Sequence, residues 1–300
     1  MLQQFDERNR DLIVNIGGRL VHRDEAGVSP FDSAVQGGDA VWEGLRLYDG
    51  RIFKLDEHLD RLERSARALS FTQVPSREKI IDELRRTLAA NQMRDGVHIR
   101  LTLTRGVKIT SGMDPRLNQS GPTLIVLAEW KAPVYAKTGL KLITSKIRRP
   151  PPDILDPQIH HANLLNSILA KIEANNADAD DALMLDTRGF VAETNATHLF
   201  LVSNGALATS RVVACPEGIT RSTVIEICAA YQIACAERDI TLEELYRAEE
   251  VFCTGTMGEI ASVTEVDGRV IGSSKVGPMT TRLSDLYRDR TAIEGVRLVD

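Results

Sequence analysis

Two hydrophobic periods divide the chain. Near its start, Leu12-Ile13-Val14-Asn15-Ile16 and Arg19-Leu20-Val21 flank Gly17-Gly18, and Leu45-Arg46-Leu47-Tyr48 and Arg51-Ile52-Phe53-Lys54 flank Asp49-Gly50. Each pair predicts two strands joined by a two-residue hairpin turn, because such turns need positive φ at their central residues. From Asp56 the period lengthens. Leu59, Leu62, Ala66 and Leu69 recur at steps of three and four, which predicts a helix with Asp56 as its N-cap. Ser76 caps a second helix whose buried face is Ile80, Ile81, Leu84 and Leu88. Strands return at 97–104 and 123–128. The polar loop between them, 106–121, is long for a simple connection and is expected to be functional.

The second half repeats the mixture. A strand over 140–147 leads into the Pro-rich run Arg149-Pro150-Pro151-Pro152-Asp153, and a helix follows from Asn163 to Ala174. Strands are expected over 181–186, 190–193, 198–202 and 250–253, with one more near Ile233 and hairpin turns at Asn204-Gly205 and Asp267-Gly268. Helices are expected over 220–231 with Thr220 as N-cap, from Thr241, and from Gly277. The stretch Glu129-Trp130-Lys131-Ala132-Pro133-Val134 reads as a linker. The expected organisation is α/β in two domains: a smaller α+β domain over 1–130, a linker over 131–138 and a larger α/β domain over 139–300.

Composition narrows the function classes. Hydrophobic content of 43% with 26% charged residues is that of a soluble globular protein. A net charge of −5 argues against nucleic acid as a partner. No apolar run is long enough for a membrane span, and the acidic start, Met1 to Glu7, is not that of a signal peptide. Cys215, Cys228, Cys235 and Cys253 form no CxxC pair and read as free thiols of a reducing compartment, so a cytoplasmic location is expected. His160, His161 and His198 have no acid or cysteine at ligand spacing beside them, so no metal site is expected.

Six short segments, in order, carry a family resemblance: Gly38-Asp39-Ala40-Val41-Trp42-Glu43-Gly44-Leu45-Arg46, His58-Leu59-Asp60-Arg61-Leu62, Asn163 to Ala174, Gly189-Phe190-Val191-Ala192-Glu193, Gly218-Ile219-Thr220-Arg221 and Gly255-Thr256-Met257-Gly258-Glu259. With them the chain resembles the class IV aminotransferases. These are the fold-type IV, pyridoxal 5'-phosphate (PLP) enzymes, which include the branched-chain and D-amino acid aminotransferases. The resemblance implies the two-domain fold-type IV architecture, a site in the cleft between the domains, and a homodimer. Arg61 then matches the arginine that holds the cofactor phosphate, for which a planar guanidinium fork is suited. Gly218, Ile219 and Thr220 match the helix N-terminus that cradles the same phosphate, and Thr256 matches a second phosphate-loop threonine. Glu193 matches the carboxylate that pairs with the pyridine nitrogen. Arg100 and Arg105, with Arg116 as a third, are candidates for binding a substrate α-carboxylate; Trp42 and Ile147 are candidates for lining the side-chain pocket.

One position departs from the pattern. Where the family carries the lysine that bonds the cofactor aldehyde and shuttles protons, this chain has His160, and no lysine stands between Lys146 and Lys171. An imidazole has no primary amine, yet it remains a base with an ordinary pKa near ~6.5. Lys146 is expected to point away along its strand, and Lys171 lies on the body of the helix. Pro216, Glu217, His198 and Ala261-Ser262 are further departures around the presumed site. The expected function is therefore that of a PLP-binding, transaminase-like enzyme. It would act on an amino acid, amine or keto acid, with PLP held non-covalently and His160 as base. The alternatives are an enzyme that uses no PLP, with His160 as general acid or base in the old cofactor cleft, and a non-catalytic ligand-binding homologue.

Overall fold

The computed structural model describes residues 3–133, 135 and 138–300. Val134, Ala136 and Lys137, which belong to the expected linker, lie outside the described residues. The chain forms two compact units. One runs to Ala132 and also takes in Ile159–Asn163 and Thr291–Asp300; the other holds Pro133–Gln158 and Leu164–Arg290. The units are thus not contiguous in sequence.

The first unit is built from β1 (Ile13–Ile16), β2 (Arg19–His22), α1 (Ser33–Gly37), β3 (Ala40–Tyr48), β4 (Arg51–Ile52), α2 (Leu55–Ala68), α3 (Arg77–Ala90), β5 (Val97–Thr104) and β6 (Thr123–Trp130). Its strands make one antiparallel sheet, to which β16 (Val296–Arg297) is added at the β4 edge. The long pairing is β3 on β5, in register from Ala40↔Thr104 to Leu47↔Val97. Alternation along β3 sends Val41, Glu43, Leu45 and Leu47 to one face. Val41, Leu45 and Leu47 pack there against Leu59, Leu62 and Ala66 of α2 and Leu84 and Leu88 of α3. Glu43 shares this apolar face and is wholly buried. Trp42, Gly44, Arg46 and Tyr48 occupy the other face.

The hairpin turns form where the sequence places them, with positive φ at Asp49 (40°) and Gly50 (76°) in the second. Ser76 caps α3, its side chain accepting from Lys79 N–H. The start of α2 differs from expectation. Its N-cap is Lys54, in a left-handed conformation and without a side-chain capping bond, and Asp56 lies inside the first turn, where a carboxylate still complements the helix dipole.

The second unit contains β7 (Leu140–Thr144), α4 (Pro152–Leu155), α5 (Leu165–Asn176), β8 (Asp181–Leu185), β9 (Val191–Thr194), β10 (His198–Ser203), β11 (Ala206–Thr209), α6 (Ile219–Ala230), β12 (Cys235–Glu237), α7 (Leu242–Tyr246), β13 (Glu250–Gly255), β14 (Glu259–Val266), β15 (Arg269–Val270) and most of α8 (Pro278–Ile293). Its sheet is mixed and runs β12-β11-β10-β13-β14-β7-β8-β9, with β15 beside β14. The parallel pairs are β11 with β12, β14 with β7 and β7 with β8. Phe200 of β10 and Phe252 of β13 stack at 5.1 Å and are fully buried. Ala170 and Ala174 of α5 lie against Ala182 and Met184 of β8. α7 starts with a complete capping box, Thr241 with Glu244. No helix of the described residues is long and apolar enough to cross a membrane.

Candidate active site

In the first unit the site residues gather at an open strand edge. β4 pairs only with Leu47 and Tyr48 of β3, which leaves the edge of β3 uncovered nearer its start. Ile159–Asn163 fills that edge. Trp42 N–H donates to the His160 carbonyl (3.0 Å), Ala162 N–H donates to the Ala40 carbonyl (2.7 Å), and Val41 bridges to His161. His160 N–H donates to Ser65 Oγ of α2 at 3.0 Å. The Trp42 indole donates to the His161 carbonyl at 3.1 Å and stacks on the His160 ring with centroids 4.4 Å apart.

α2 completes the arrangement. His58, Arg61 and Ser65, at steps of three and four, share its inward face with the apolar residues. Arg61 Nε and Nη2 donate to the two oxygens of Glu43 at 2.8 and 2.7 Å, and His58 Nδ1 lies 2.6 Å from Glu43 Oε2. His160 Nδ1 is 2.5 Å from the Trp42 carbonyl and 3.4 Å from Glu43 Oε1. Burial alone would push the Glu43 carboxyl up; the Arg61 guanidinium, and then His160, outweigh it and hold the group well below the usual carboxylate range. His160 moves the other way. Burial and then the Arg61 charge lower its proton affinity, and Glu43 and the Trp42 carbonyl only partly offset them.

Arg100 lies over the Trp42 ring, 3.5 Å from its centroid. Burial brings its pKa down to about 10, with Glu43 opposing, so it remains a cation at neutral pH. Arg105 is placed differently. Its Nε and Nη2 donate to Asp39 at 2.5 and 3.1 Å, Nη2 also donates to the Leu69 carbonyl, and Nη1 reaches the Ser70 carbonyl. It clasps the α1–β3 turn to the end of α2. Arg116 pairs with Asp114 on the exposed loop.

The second unit holds the other candidates. Arg149 Nε donates to Glu193 Oε1 at 2.9 Å, and both side chains are about nine-tenths buried. Arg149 also donates to the Ala214 carbonyl and to Asn166 Oδ1. α6 begins one residue earlier than expected. Gly218, not Thr220, is its N-cap, and no side chain caps it, so the first-turn N–H groups that an anion could use are not taken by a capping side chain. Gly218 is required where it stands: a Cβ there would run into Cδ2 and Nε2 of the His198 ring. Thr220 is buried within the first turn. Thr256 lies in the turn between β13 and β14. Ile147 packs against the small cluster of Ala170, Ala174, Ala182 and Met184. The strand that leads to it stops at Thr144; Lys146 is beyond it, its N–H donating to Glu173. Lys171 reaches Asp181 and the Asp180 carbonyl. Among the described residues no group of three or more His, Cys, Asp or Glu side chains is placed to hold a metal ion.

Two members were missed in the sequence. Glu43 stands inside the first motif, and its signal was a lone carboxylate at an inward position of an apolar strand. Arg149 stands at the head of the Pro-rich run; nothing local linked it to Glu193, 44 residues on.

The family described as amino-transferase class IV matches residues 40–266. An Arabidopsis thaliana protein named branched-chain-amino-acid aminotransferase-like protein 2 is 55% identical over 96% of this chain but only 52% of its own length. This chain therefore spans about half of that relative. A Methanocaldococcus jannaschii protein, provisionally named a branched-chain-amino-acid aminotransferase, is 41% identical over 96% of this chain and 99% of its own. Among solved structures, the branched-chain aminotransferase of the thermophilic archaeon Thermoproteus uzoniensis, with norvaline, superposes with a TM-score of 0.87 at 30% identity, covering 94% of this chain and 95% of its own. The mixed helix-and-sheet fold is that of the fold-type IV enzymes.

Proposed function

The chain belongs to the class IV aminotransferases, and from that premise we propose that it is a branched-chain aminotransferase-like enzyme that binds PLP without a covalent bond and uses His160 as its base. The observation that carries this is the state of Arg61. It is a nearly buried guanidinium, fixed by two hydrogen bonds to a carboxylate that stays ionised, at the position the family gives to the phosphate.

Each unit carries groups suited to part of PLP. In the first, the guanidinium fork of Arg61 suits a phosphate. In the second, Gly218, Ile219 and Thr220 at the start of α6, which carries no side-chain cap, with Thr256, suit a phosphate, and Glu193, oriented by Arg149, suits a ring nitrogen. The amine that would bond the aldehyde is absent, since His160 occupies that place. When bound, PLP supplies an electron-accepting ring that stabilises negative charge on a substrate carbon. The protein's own part is to hold the phosphate with Arg61 and the ring nitrogen with Glu193, and to accept and return a proton at the His160 imidazole. Arg100, cationic and stacked on Trp42, would bind the carboxylate of an amino or keto acid. Trp42 and Ile147 would shape the side-chain pocket, and a second copy of the chain would complete a homodimer.

An absorption spectrum tests the proposal. Protein mixed with PLP should give a shifted cofactor band that dialysis removes, that leaves no mass adduct after borohydride, and that changes when an amino acid is added. Absence of any bound band at millimolar PLP would refute it. A second reading, an enzyme or binding protein that uses no PLP, draws on one observation: Arg61 and Glu193 each already face an opposite charge, Glu43 and Arg149. The same spectrum decides between them.

A further inference from the structure

A base must present a lone pair, and an imidazole has two nitrogens of which only one can present it. The surroundings of His160 settle which. Nδ1 lies 2.5 Å from the Trp42 carbonyl and 3.4 Å from Glu43 Oε1. A carbonyl oxygen and an ionised carboxylate can only accept, so the proton of the neutral ring belongs on Nδ1. The Trp42 carbonyl points out of the β3 edge, where Ile159–Asn163 has replaced a neighbouring strand; the imidazole supplies the donor that a ladder partner would otherwise give. The ring is held in plane by stacking on the Trp42 indole, and the backbone beneath it is pinned by Ser65. Nε2 makes no hydrogen bond with any described residue, although His160 is only 15% exposed.

We propose that His160 presents a bare Nε2 as its proton-accepting atom, and that Glu43, together with the Trp42 carbonyl, is the positioning device that fixes this tautomer. The inference rests on the reading of His160 as the base, and it adds which atom works and which residue sets it. When Nε2 takes a proton the ring becomes an imidazolium with both nitrogens protonated. The new charge faces the Glu43 carboxylate across Nδ1–H, and return of the Nε2 proton restores the starting state. Glu43 serves two partners at once. It anchors Arg61 and steadies His160, so the phosphate arginine and the base are tied to one carboxylate. His58, also on Glu43, holds that carboxylate from a third side. The charges that face His160 are therefore Glu43 on β3 and Arg61 on α2; burial does most to lower its proton affinity, Arg61 lowers it further and Glu43 opposes both.

Long-range nitrogen–proton NMR on protein labelled with 15N-histidine tests the tautomer directly, with His160→Gln assigning the signal among six histidines. The expected spectrum at neutral pH has a pyrrole-type Nδ1 and a pyridine-type Nε2. The reverse pattern, or a mixture of tautomers, would overturn the proposal in the parent protein itself, with His160→Gln needed only for the assignment. The role of Glu43 is tested by Glu43→Gln, which keeps the shape of the side chain and removes the charge. Loss of an anion this close should lower the His160 titration midpoint by about 1–3 units, and Glu43→Asp should recover part of the shift. An unmoved midpoint in a folded Glu43→Gln protein would remove Glu43 from the role. The underlying reading fails separately: if His160→Ala exchanges the α-proton of an added amino acid as fast as the parent protein in the presence of PLP, His160 is not the base, whatever its tautomer.

Discussion

Replacing Arg61 by methionine would isolate what the buried charge cluster costs and what holds it. Glu43 is fully buried on a face otherwise made of Val41, Leu45 and Leu47, and Arg61 gives it two hydrogen bonds at 2.7–2.8 Å. Removing one partner of a buried ion pair costs about 3–5 kcal/mol, because the remaining charge is left uncompensated. His58 stays beside the carboxylate, so the lower half of that range is expected. The pH dependence carries the sharper test. In the parent protein the folded-state pKa of Glu43 is depressed, so its contribution is complete above the unfolded value of about 4.3 and is lost as pH falls through the folded value. In Arg61→Met burial prevails and the folded pKa rises. The unfolded chain then ionises first, and stability falls by about 1.4 kcal/mol per pH unit above about 4.3 until the folded value is reached. The deficit at pH 5 should therefore be smaller than at pH 7.5, by at most about 3.4 kcal/mol over that interval. Urea unfolding followed by tryptophan fluorescence measures it in the relevant unit, since both tryptophans, Trp42 and Trp130, lie there. A deficit below about 1 kcal/mol at pH 7.5, or one that does not shrink at pH 5, would show that Arg61 does not hold the carboxylate ionised.

Three further outcomes are expected. His160→Lys restores a primary amine at the family's position, and the variant should gain the mass of one PLP after borohydride reduction; no adduct would mean that the lysine cannot reach a bound aldehyde. Gly218→Ala drives a Cβ into the His198 ring and should cost about 1–3 kcal/mol, read as a lower Tm; an unchanged Tm would mean that the ring moves aside freely. Arg149→Met leaves the buried Glu193 without its cation and should cost about 3 kcal/mol or more by far-UV circular dichroism in urea, together with weaker PLP retention; parent-like stability and retention would deny Arg149 its orienting role.

Features written locally were legible in the sequence. The turns at Gly17-Gly18, Asp49-Gly50, Asn204-Gly205 and Asp267-Gly268 formed as expected, because a two-residue hairpin is decided by its own φ angles. Ser76 was legible for the same reason. Caps set by geometry further away were not. Lys54 starts α2 because the chain must leave β4 sharply, and Gly218 starts α6 because the His198 ring needs its bare Cα. The family was legible from six motifs in order. The grouping of His160 with Glu43 and Arg61 was not, because it depends on a bridge between Val41 and His161 that no periodicity announces.

The way Ile159–Asn163 lies on β3 also bears on the order in which the molecule can be assembled. The imidazole and its carbonyl partner are 118 residues apart, and β16 reaches β4 only through Val296 and Arg297. A ribosome releasing this chain from its N-terminus would deliver α2, α3 and most of the first sheet while the β3 edge still lacked its covering segment, and β4 would wait longer still for β16. A nascent chain in that interval carries an unpaired, largely apolar strand edge, the kind of surface on which chains pair with the wrong partner. Translation paused or truncated between residues 132 and 159 should therefore yield aggregated rather than merely incomplete protein.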